Sequence, residues 1–360
     1  MIDRVLALAI DATERGLVPD ALVRMGIRRI CAHRLHESGE GGAEGARARH
    51  QALLETMRTG PIALQPEKAN EQHYEAPVEL FERALGPHLK YSSAYWPEGV
   101  VTLADAEAAA LAVTCERAQI ADGQDILELG CGWGSLTLWM AQHYPASRIL
   151  AVSNSHRQRQ FIQDRAASRG LTNLEVVTAD MNTFTTSRRF DRVVSVEMFE
   201  HMHNYRALLE RIAGLMRPDG KLFVHIFCHR TFAYPYATDG PGNWMGRHFF
   251  TGGLMPSDAL LFDFQDHVHV RARWQWNGQH YAKTANAWLA NLDAARADLM
   301  PVFVRAYGSA DAGRWFERWR VFFMACAELF GFRDGREWLV GHYLLDRGPA
   351  ESRHTRVDAA

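Results

Sequence analysis

The chain has little cysteine. Its 360 residues hold five, Cys31, Cys115, Cys131, Cys228 and Cys326, odd in number, scattered and without a C-x-x-C pair. That excludes a disulfide framework and a cysteine zinc knuckle, and points to a reducing compartment. Histidine is more plentiful, but His201, His203, His225 and His229 lack the H-E-x-x-H spacing of a zinc helix, so no metal is expected. Charge of one sign is also missing. A net charge of −2 and a pI near 6.8 leave no basic field for nucleic acid. No apolar run reaches the roughly eighteen residues that a membrane-spanning helix needs. The opening run Val5–Ile10 is too short for a signal core and is followed by Asp11. These absences predict a cytoplasmic protein with no transmembrane segment, and leave contact with a lipid surface open.

What is present is ordinary globular material, 47% hydrophobic and 23% charged, enough for one large domain with additions or for two domains. One stretch organises it: Asp125-Ile-Leu-Glu-Leu-Gly-Cys-Gly-Trp-Gly-Ser135. An apolar run stops at Gly130, Gly132 and Gly134, and Leu136–Ala141 continues as a helix. The pattern predicts strand, tight turn, helix. Glycines there let the backbone take positive φ and let a ligand approach, beside the free N–H donors of a helix start. The spacing is G-x-G-x-G, not the G-x-G-x-x-G of dinucleotide sites. The next strand, Arg148–Val152, ends in Ser153-Asn154 with no carboxylate for a ribose, which weakens a NAD reading and favours S-adenosylmethionine (SAM).

Residues 1–60 carry apolar groups at helical spacing, broken by Gly39-Glu40-Gly41-Gly42. The arginines among them (Arg24, Arg28, Arg29, Arg34) read as a solvated face, and no catalytic signature stands out. Residues 70–96 crowd polar groups with aromatics, as a lid over a small ligand requires. An alanine-rich helix over 104–118 follows. Helices at 154–169 and 204–216 then alternate with strands at 174–177, 192–196 and 221–227, with a turn at Pro218-Asp219-Gly220. This predicts a doubly wound parallel sheet whose ligands sit at the strands' carboxyl ends. Gly130, Ser153, Asp180, Glu197 and His225 all lie at or near such ends. Residues 228–335 are aromatic-rich and do not alternate. They read as a long substrate-lid insertion, with His267–Trp276 as a candidate strand and helices within 285–329. Glu337–Leu345 reads as a last strand returning to the sheet. The expected organisation is an N-terminal helical region and SAM lid (1–103), a Rossmann-like core (104–227), the insertion (228–335), the last core strand (336–347) and a disordered tail (348–360).

The runs ANEQHYEAP, YSSAYW, ELGCGWGSL, VSNSHRQRQF, SVEMFEHMHNY, LFVHIFCHRTFAY, NWMGRHFFTGG, HYAKTANAW and FFMACAELFG resemble the cyclopropane-fatty-acid synthase superfamily of SAM-dependent methyltransferases. Within it the resemblance is to the branch of coclaurine and pavine N-methyltransferases. It implies a class I methyltransferase fold, SAM as cofactor and S-adenosylhomocysteine as product. The family's cofactor contacts carry over onto Tyr91, Ser92, Gly130, Gly132, Gly134, Ser153, Asn154, Gln158, Asp180 and Met181. Glu128 would lie near the methionine ammonium, and Asp180 at the adenine edge.

The acyl-chain branch of the family implies bicarbonate held by a cysteine, a glutamate, a histidine and a tyrosine. The matching positions here are Ser93, Glu200, His225 and Tyr281, so the cysteine is missing. That branch also tends to have glycine where this chain has Glu197, and the Glu197-x-x-Glu200-His201 run resembles the N-methyltransferases. An amine must lose a proton before its lone pair can attack a sulfonium methyl, so a base is needed. Glu197, Glu200 and His201 at i, i+3 and i+4 would share one face of a helical turn, with Glu197 and His201 as leading base candidates and Glu200 in support. A helix-capping pair is the other reading of Glu200 and His201. Cys326, where a nucleophile has been placed in the family, reads as a small buried apolar residue. The expected substrate is a small aromatic or cyclic amine. The alternative is the unsaturated acyl chain of a phospholipid, with bicarbonate as a helper. Whether the chain forms a homodimer is left open.

Overall fold

Strands of five or six apolar residues with no polar alternation need cover on both faces, and the computed structural model, which describes residues 2–64 and 76–348, provides it. Seven strands form the main sheet: β1 (Asp125–Leu129), β2 (Arg148–Ser153), β3 (Leu174–Thr178), β4 (Phe190–Val196), β5 (Met216–His229), β6 (His269–Trp276) and β7 (Trp338–Asp346). Their order is β3-β2-β1-β4-β5-β7-β6. The first five are parallel, and β7 runs antiparallel between β5 and β6. Successive residues of β1 face opposite ways. Ile126 packs with Leu111, Leu136 and Met140, whereas Leu127 and Leu129 pack with Leu208, Leu209 and Ile212.

The helices beside the parallel strands are α5 (Leu103–Arg117), which leads into β1, and the crossovers α6 (Ser135–His143), α7 (His156–Ser168) and α8 (Tyr205–Leu215). Three begin where side chains accept orphan N–H groups: Thr102 from Asp105, Ser155 from Gln158 and Asn204 from Ala207. The turn expected at Pro218-Asp219-Gly220 is a loop inside one ladder. Phe190 pairs with Met216 and Arg192 with Lys221, so the chain leaves β5 and re-enters it. β1 pairs with β2 on one side and β4 on the other, so the sheet order reverses direction at β1 and opens a crevice at the strands' carboxyl ends.

Residues 230–268 and 277–337 form two excursions on either side of edge strand β6. The first carries the short α9 (Trp244–His248) and the second carries α10 (Gln279–Ala294), α11 (Arg296–Tyr307) and α12 (Ala312–Phe330). Helices α1 (Ile2–Glu14), α2 (Asp20–Gly39) and α3 (Gly42–Thr56) precede them, with α4 (Val78–Ala84) after the undescribed 65–75. Three of the four N-terminal arginines have partners in the fold, while Arg29 stays on an exposed face as expected. Arg24 and Arg28 reach Glu328 on α12 at 2.8 and 2.6 Å. Arg34 lies 5.3 Å over the Tyr234 ring. Local periodicity could not place these partners: Glu328 lies 304 and 300 residues from Arg24 and Arg28, and Tyr234 lies 200 from Arg34. Among the described residues no helix is long and apolar enough to cross a membrane. The first part of the expected lid, Asn70–Glu75, and the expected tail from 349 onward lie outside the described residues.

Candidate active site

The site starts from a clasp that sequence reasoning missed. Glu107, fully buried on alanine-rich α5, accepts the backbone N–H groups of Gly86, His88 and Lys90 at 3.0, 2.9 and 3.3 Å. A side chain at Gly86 would meet that carboxylate at 2.5 Å. Burial pushes Glu107 up to about 7, with the three N–H groups pulling the other way. The clasp fixes the loop that carries Tyr91, Ser92 and Ser93. Lys90, also buried, donates to Ser92 Oγ at 2.5 Å and Ser93 O at 2.7 Å. Burial draws its ammonium down to about 8.

The glycine turn does two jobs. Gly130 and Cys131 donate to Val152 O at 3.0 Å each, tying the turn to β2. Gly132, at φ +51°, has no heavy atom within 4 Å of where a Cβ would stand. Gly134 is different. It caps α6 at φ +82°, and its missing Cβ makes room for Ile162 at 2.6 Å. Gly134 therefore serves helix packing, and neither of the two cavities beside the turn is lined by it.

Two cavities meet at Gly130, Gly132, Gln158 and His201. One is also lined by Tyr91, Ser92 and Glu128, the other by Ser153, Asn154, Asp180 and Met181. Glu128 is wholly buried, with the Thr137 hydroxyl donating to it at 2.5 Å, and burial pushes it up to about 8. Ser153 Oγ donates to Gln158 Oε1 at 2.7 Å, which leaves Gln158 Nε2 buried with no partner among the described residues. Ser135 Oγ is in the same position. Asn182, which sequence reasoning missed, ties Asp180 to the N-terminal segment, bonding the backbone of Ala63 in both directions.

The expected helical turn is absent. β4 ends at Val196, and Glu197 takes a left-handed φ of +46°, a conformation that costs energy for a residue with a Cβ and marks functional sites. The short 3₁₀ turn covers only Phe199–His201. Glu197 is thereby swung away from a common face with Glu200 and His201. Its Oε1 accepts Ser93 N–H at 3.0 Å and lies 3.2 Å from His225 Nε2, and its Oε2 accepts the Tyr281 hydroxyl at 2.7 Å. Glu200 Oε2 is buried with no partner among the described residues. His201 stacks on Phe250 at 5.3 Å. Glu197, Glu200 and His201 nonetheless line the same cavity. Burial raises both carboxyls, and Glu200 further, because the charge of Glu197 faces it. Cys326 is buried, its thiol pushed well above the ordinary range.

Beyond Phe227, Phe250, Tyr281 and Phe322 the cavity widens into an apolar chamber of about 1670 Å³, counting its mouth, walled by α1, α2 and α12. The N-terminal helices, which carried no signature, form one side of it.

The profile of the mycolic acid cyclopropane synthetase family matches residues 63–337. The chain belongs to this family. A (S)-coclaurine N-methyltransferase of Thalictrum flavum subsp. glaucum is 39% identical over 93% of this chain and 94% of its own length. A cyclopropane-fatty-acyl-phospholipid synthase of Escherichia coli K12 is 30% identical over 75% of this chain and 66% of its own. A crystal structure of coclaurine N-methyltransferase bound to N-methylheliamine and S-adenosylhomocysteine superposes with a TM-score of 0.92 at 37% identity, covering 95% of this chain and 99% of that one. As a family member with this sheet order, the protein is a SAM-dependent methyltransferase. Its residues fit that cofactor: Gly132 leaves space for a ligand, Gln158 and Ser135 offer unused polar atoms, and Glu128 is a buried carboxylate whose side-chain partner among the described residues is the neutral Thr137 hydroxyl.

Proposed function

We propose that the enzyme methylates the nitrogen of a small amine with an aromatic or cyclic body. The observation that carries this reading is the pair of carboxylates, Glu197 and Glu200, beside the ring of Phe227, Phe250, Tyr281 and Phe322 that joins the cofactor cavity to the apolar chamber. An amine arrives mostly as an ammonium. Carboxylates attract it, and aromatic faces hold it by cation–π contact, while the chamber takes its hydrophobic part. The relatives named for N-methylation support the same acceptor.

Tyr91, Ser92, Ser153, Asn154, Gln158, Asp180 and Met181 would hold SAM, with Gly130 and Gly132 giving room and Glu128 meeting its ammonium. Bound there, SAM supplies a sulfonium-borne methyl group to a nitrogen lone pair, and S-adenosylhomocysteine remains. Glu197, already accepting from Ser93 and Tyr281, serves as a fixed anion that orients the amine. Glu200, with an oxygen to spare, serves as the base. As the cations enter, its raised affinity for a proton falls, its own proton leaves, and it can take the one on the amine. His201 lines both cofactor cavities and is placed to pass that proton outward. Every group comes from one chain, so the reading holds for a monomer and for a homodimer. The five free, buried thiols suit the cytoplasm.

The second reading, methylation or cyclopropanation of an acyl chain, keeps one favourable observation. His225, Tyr281 and Ser93 still surround one point. The carboxylate of Glu197 sits at that point, where the resemblance puts bicarbonate in the acyl branch. It would also leave a buried charge against a lipid chain. Assay of labelled SAM with aromatic and cyclic amines, and separately with monounsaturated phospholipid vesicles, tests the choice. Methylated amine and unlabelled lipid are expected. Addition of one carbon to the acyl chains, lost in Glu200→Gln, would give the site to lipid.

The Glu128 assignment has its own measurement. With its carboxyl at about 8, Glu128 holds a proton near neutrality in the free protein, and an ammonium beside it favours the charged form. Binding should therefore release a proton, and SAM affinity should rise with pH up to about 8. Calorimetry in buffers of different ionisation enthalpy reads this directly. Unchanged proton release in Glu128→Gln would take the residue off the ammonium.

A further inference from the structure

Behind Glu197 runs a buried file of side chains that the amine reading does not itself use. His225 Nε2 stands 3.2 Å from Glu197 Oε1, His342 Nε2 stands 2.8 Å from His225 Nδ1, and Arg117 Nη1 stands 2.9 Å from His342 Nδ1. The file crosses three elements. Arg117 ends α5, His342 lies in β7, and His225 lies directly opposite it in β5. Both imidazoles are completely buried. The Trp276 ring packs against both, 5.5 Å from His225 and 4.3 Å from His342. The Arg117 guanidinium lies 5.2 and 5.7 Å over Trp274 and Trp276.

We propose that Arg117 and His342 act through His225 as a one-way hydrogen-bonded chain that holds Glu197 as an oriented carboxylate during methyl transfer, making both of them positioning residues. The direction follows from one fact: a guanidinium only donates. His342 Nδ1 must then accept, so the single proton of a neutral His342 sits on Nε2 and is donated to His225 Nδ1. The proton of His225 is thereby placed on Nε2 and points at Glu197. Neutral rings are what this environment favours, since burial and the charges of Lys90 and Arg117 push both imidazoles well below their usual range. The chain is not a proton exit, because its outer end cannot accept a proton. It adds a third donor to Glu197 beside Ser93 N–H and Tyr281, and so biases the pair: Glu197 keeps the charge and Glu200 the proton.

The charged and titratable groups facing this file are known from every side. Glu197 is faced by Lys90 from the loop before α5, Tyr281 from α10, Cys326 from α12 and Glu200 from its own turn. Arg117 is faced by Tyr95 and Glu116. Among the described residues, the file is a continuous hydrogen-bonded path from Glu197 to half-exposed Arg117.

The proposal rests on Glu197 orienting an amine, so its test has one arm that needs no turnover. In the full chain labelled with ¹⁵N-histidine, His225 and His342 should both appear as the Nε2–H tautomer, and Arg117→Met should mix the tautomers. In the second arm, Arg117→Met and His342→Leu should move the acid limb of kcat/KM for one fixed amine upward by about one pH unit, the scale of one lost charge-assisted bond. S-adenosylhomocysteine affinity should stay unchanged. Arg117→Lys keeps a donor, and His342→Gln keeps both an acceptor and a donor, so each should restore most of the profile. Arg117 is half-exposed, so its variants remain informative even where a His342 variant fails to fold. An Nδ1–H tautomer in either ring of the unaltered protein overturns the proposal. So does an Arg117→Met profile that superimposes on the unaltered one. A chain confirmed by NMR in a protein that methylates no amine would instead sink the amine reading alone.

Discussion

Glu200→Gln is expected to lower kcat for amine methylation by roughly 10²–10⁴-fold, the usual scale for removing a general base, while S-adenosylhomocysteine binds as before. The substitution keeps the shape of the side chain and removes its basicity. Glu200 is 1% exposed, and its Oε2 finds no partner among the described residues, so a neutral amide there breaks no bond of that oxygen. Burial already keeps Glu200 protonated, and the amide removes any cost of ionising it there, so thermal stability should hold or rise even as turnover collapses. That opposite movement separates a catalytic loss from a folding defect. Turnover with saturating amine and SAM, beside calorimetry of the product complex, makes the measurement. A Glu200→Gln enzyme within threefold of the unaltered rate would remove Glu200 as the base, and a matching loss in His201→Ala would then move that role to His201. Because the free amine and the charged base are both favoured by alkali, the unaltered rate should rise with pH through the neutral range.

Gly132→Val is expected to weaken SAM binding by at least ~100-fold, a loss of about 2.7 kcal/mol or more. The backbone at φ +51° suits glycine, and the position of its absent Cβ opens onto space at the junction of the two cofactor cavities. A branched side chain would fill that space and resist that φ. Gly132→Asn separates the two causes, since asparagine tolerates left-handed backbone far better than valine does. If space is what matters, both variants stay folded and both lose affinity. Gly134→Ala gives the contrast, because its Cβ would run into Ile162. It should lower the melting temperature through damage to α6 and α7 packing. Undiminished calorimetric affinity in a folded Gly132→Val protein would remove the cofactor from this turn.

The sheet and its glycine turn were legible because their signals are local. Apolar runs of strand length, glycines in a turn, and capping residues such as Thr102 and Ser155 act on neighbours within a few positions. The gathering of Gly130, Ser153, Asp180 and Glu197 around the cavities was legible for a related reason: parallel strands bring their carboxyl ends to one edge whatever the side chains are. The family runs carried the likeness to N-methyltransferases, down to Glu197, Glu200 and His201. Their geometry was not legible. The i, i+3, i+4 rule assumes helical backbone, and one left-handed residue at Glu197 cancels it.

What Glu197 touches was decided by tertiary structure alone. Its partners stand 28, 84 and 104 residues away in sequence, and no periodicity reaches so far. The same holds for the arginines of α2, which join it to α12, and for the N-terminal helices as a wall of the apolar chamber. Glu107 left one faint trace, a lone acid on the buried stripe of an alanine-rich helix, whose meaning needed the three N–H groups that fold back onto it. Sequence determined the strands, the turn and the edge of the sheet where the cavities open, because short-range sterics and hydrophobic patterning suffice for them. Packing alone decided which buried carboxylate meets donors and which is left bare, since that depends on chain segments brought together only by the finished fold.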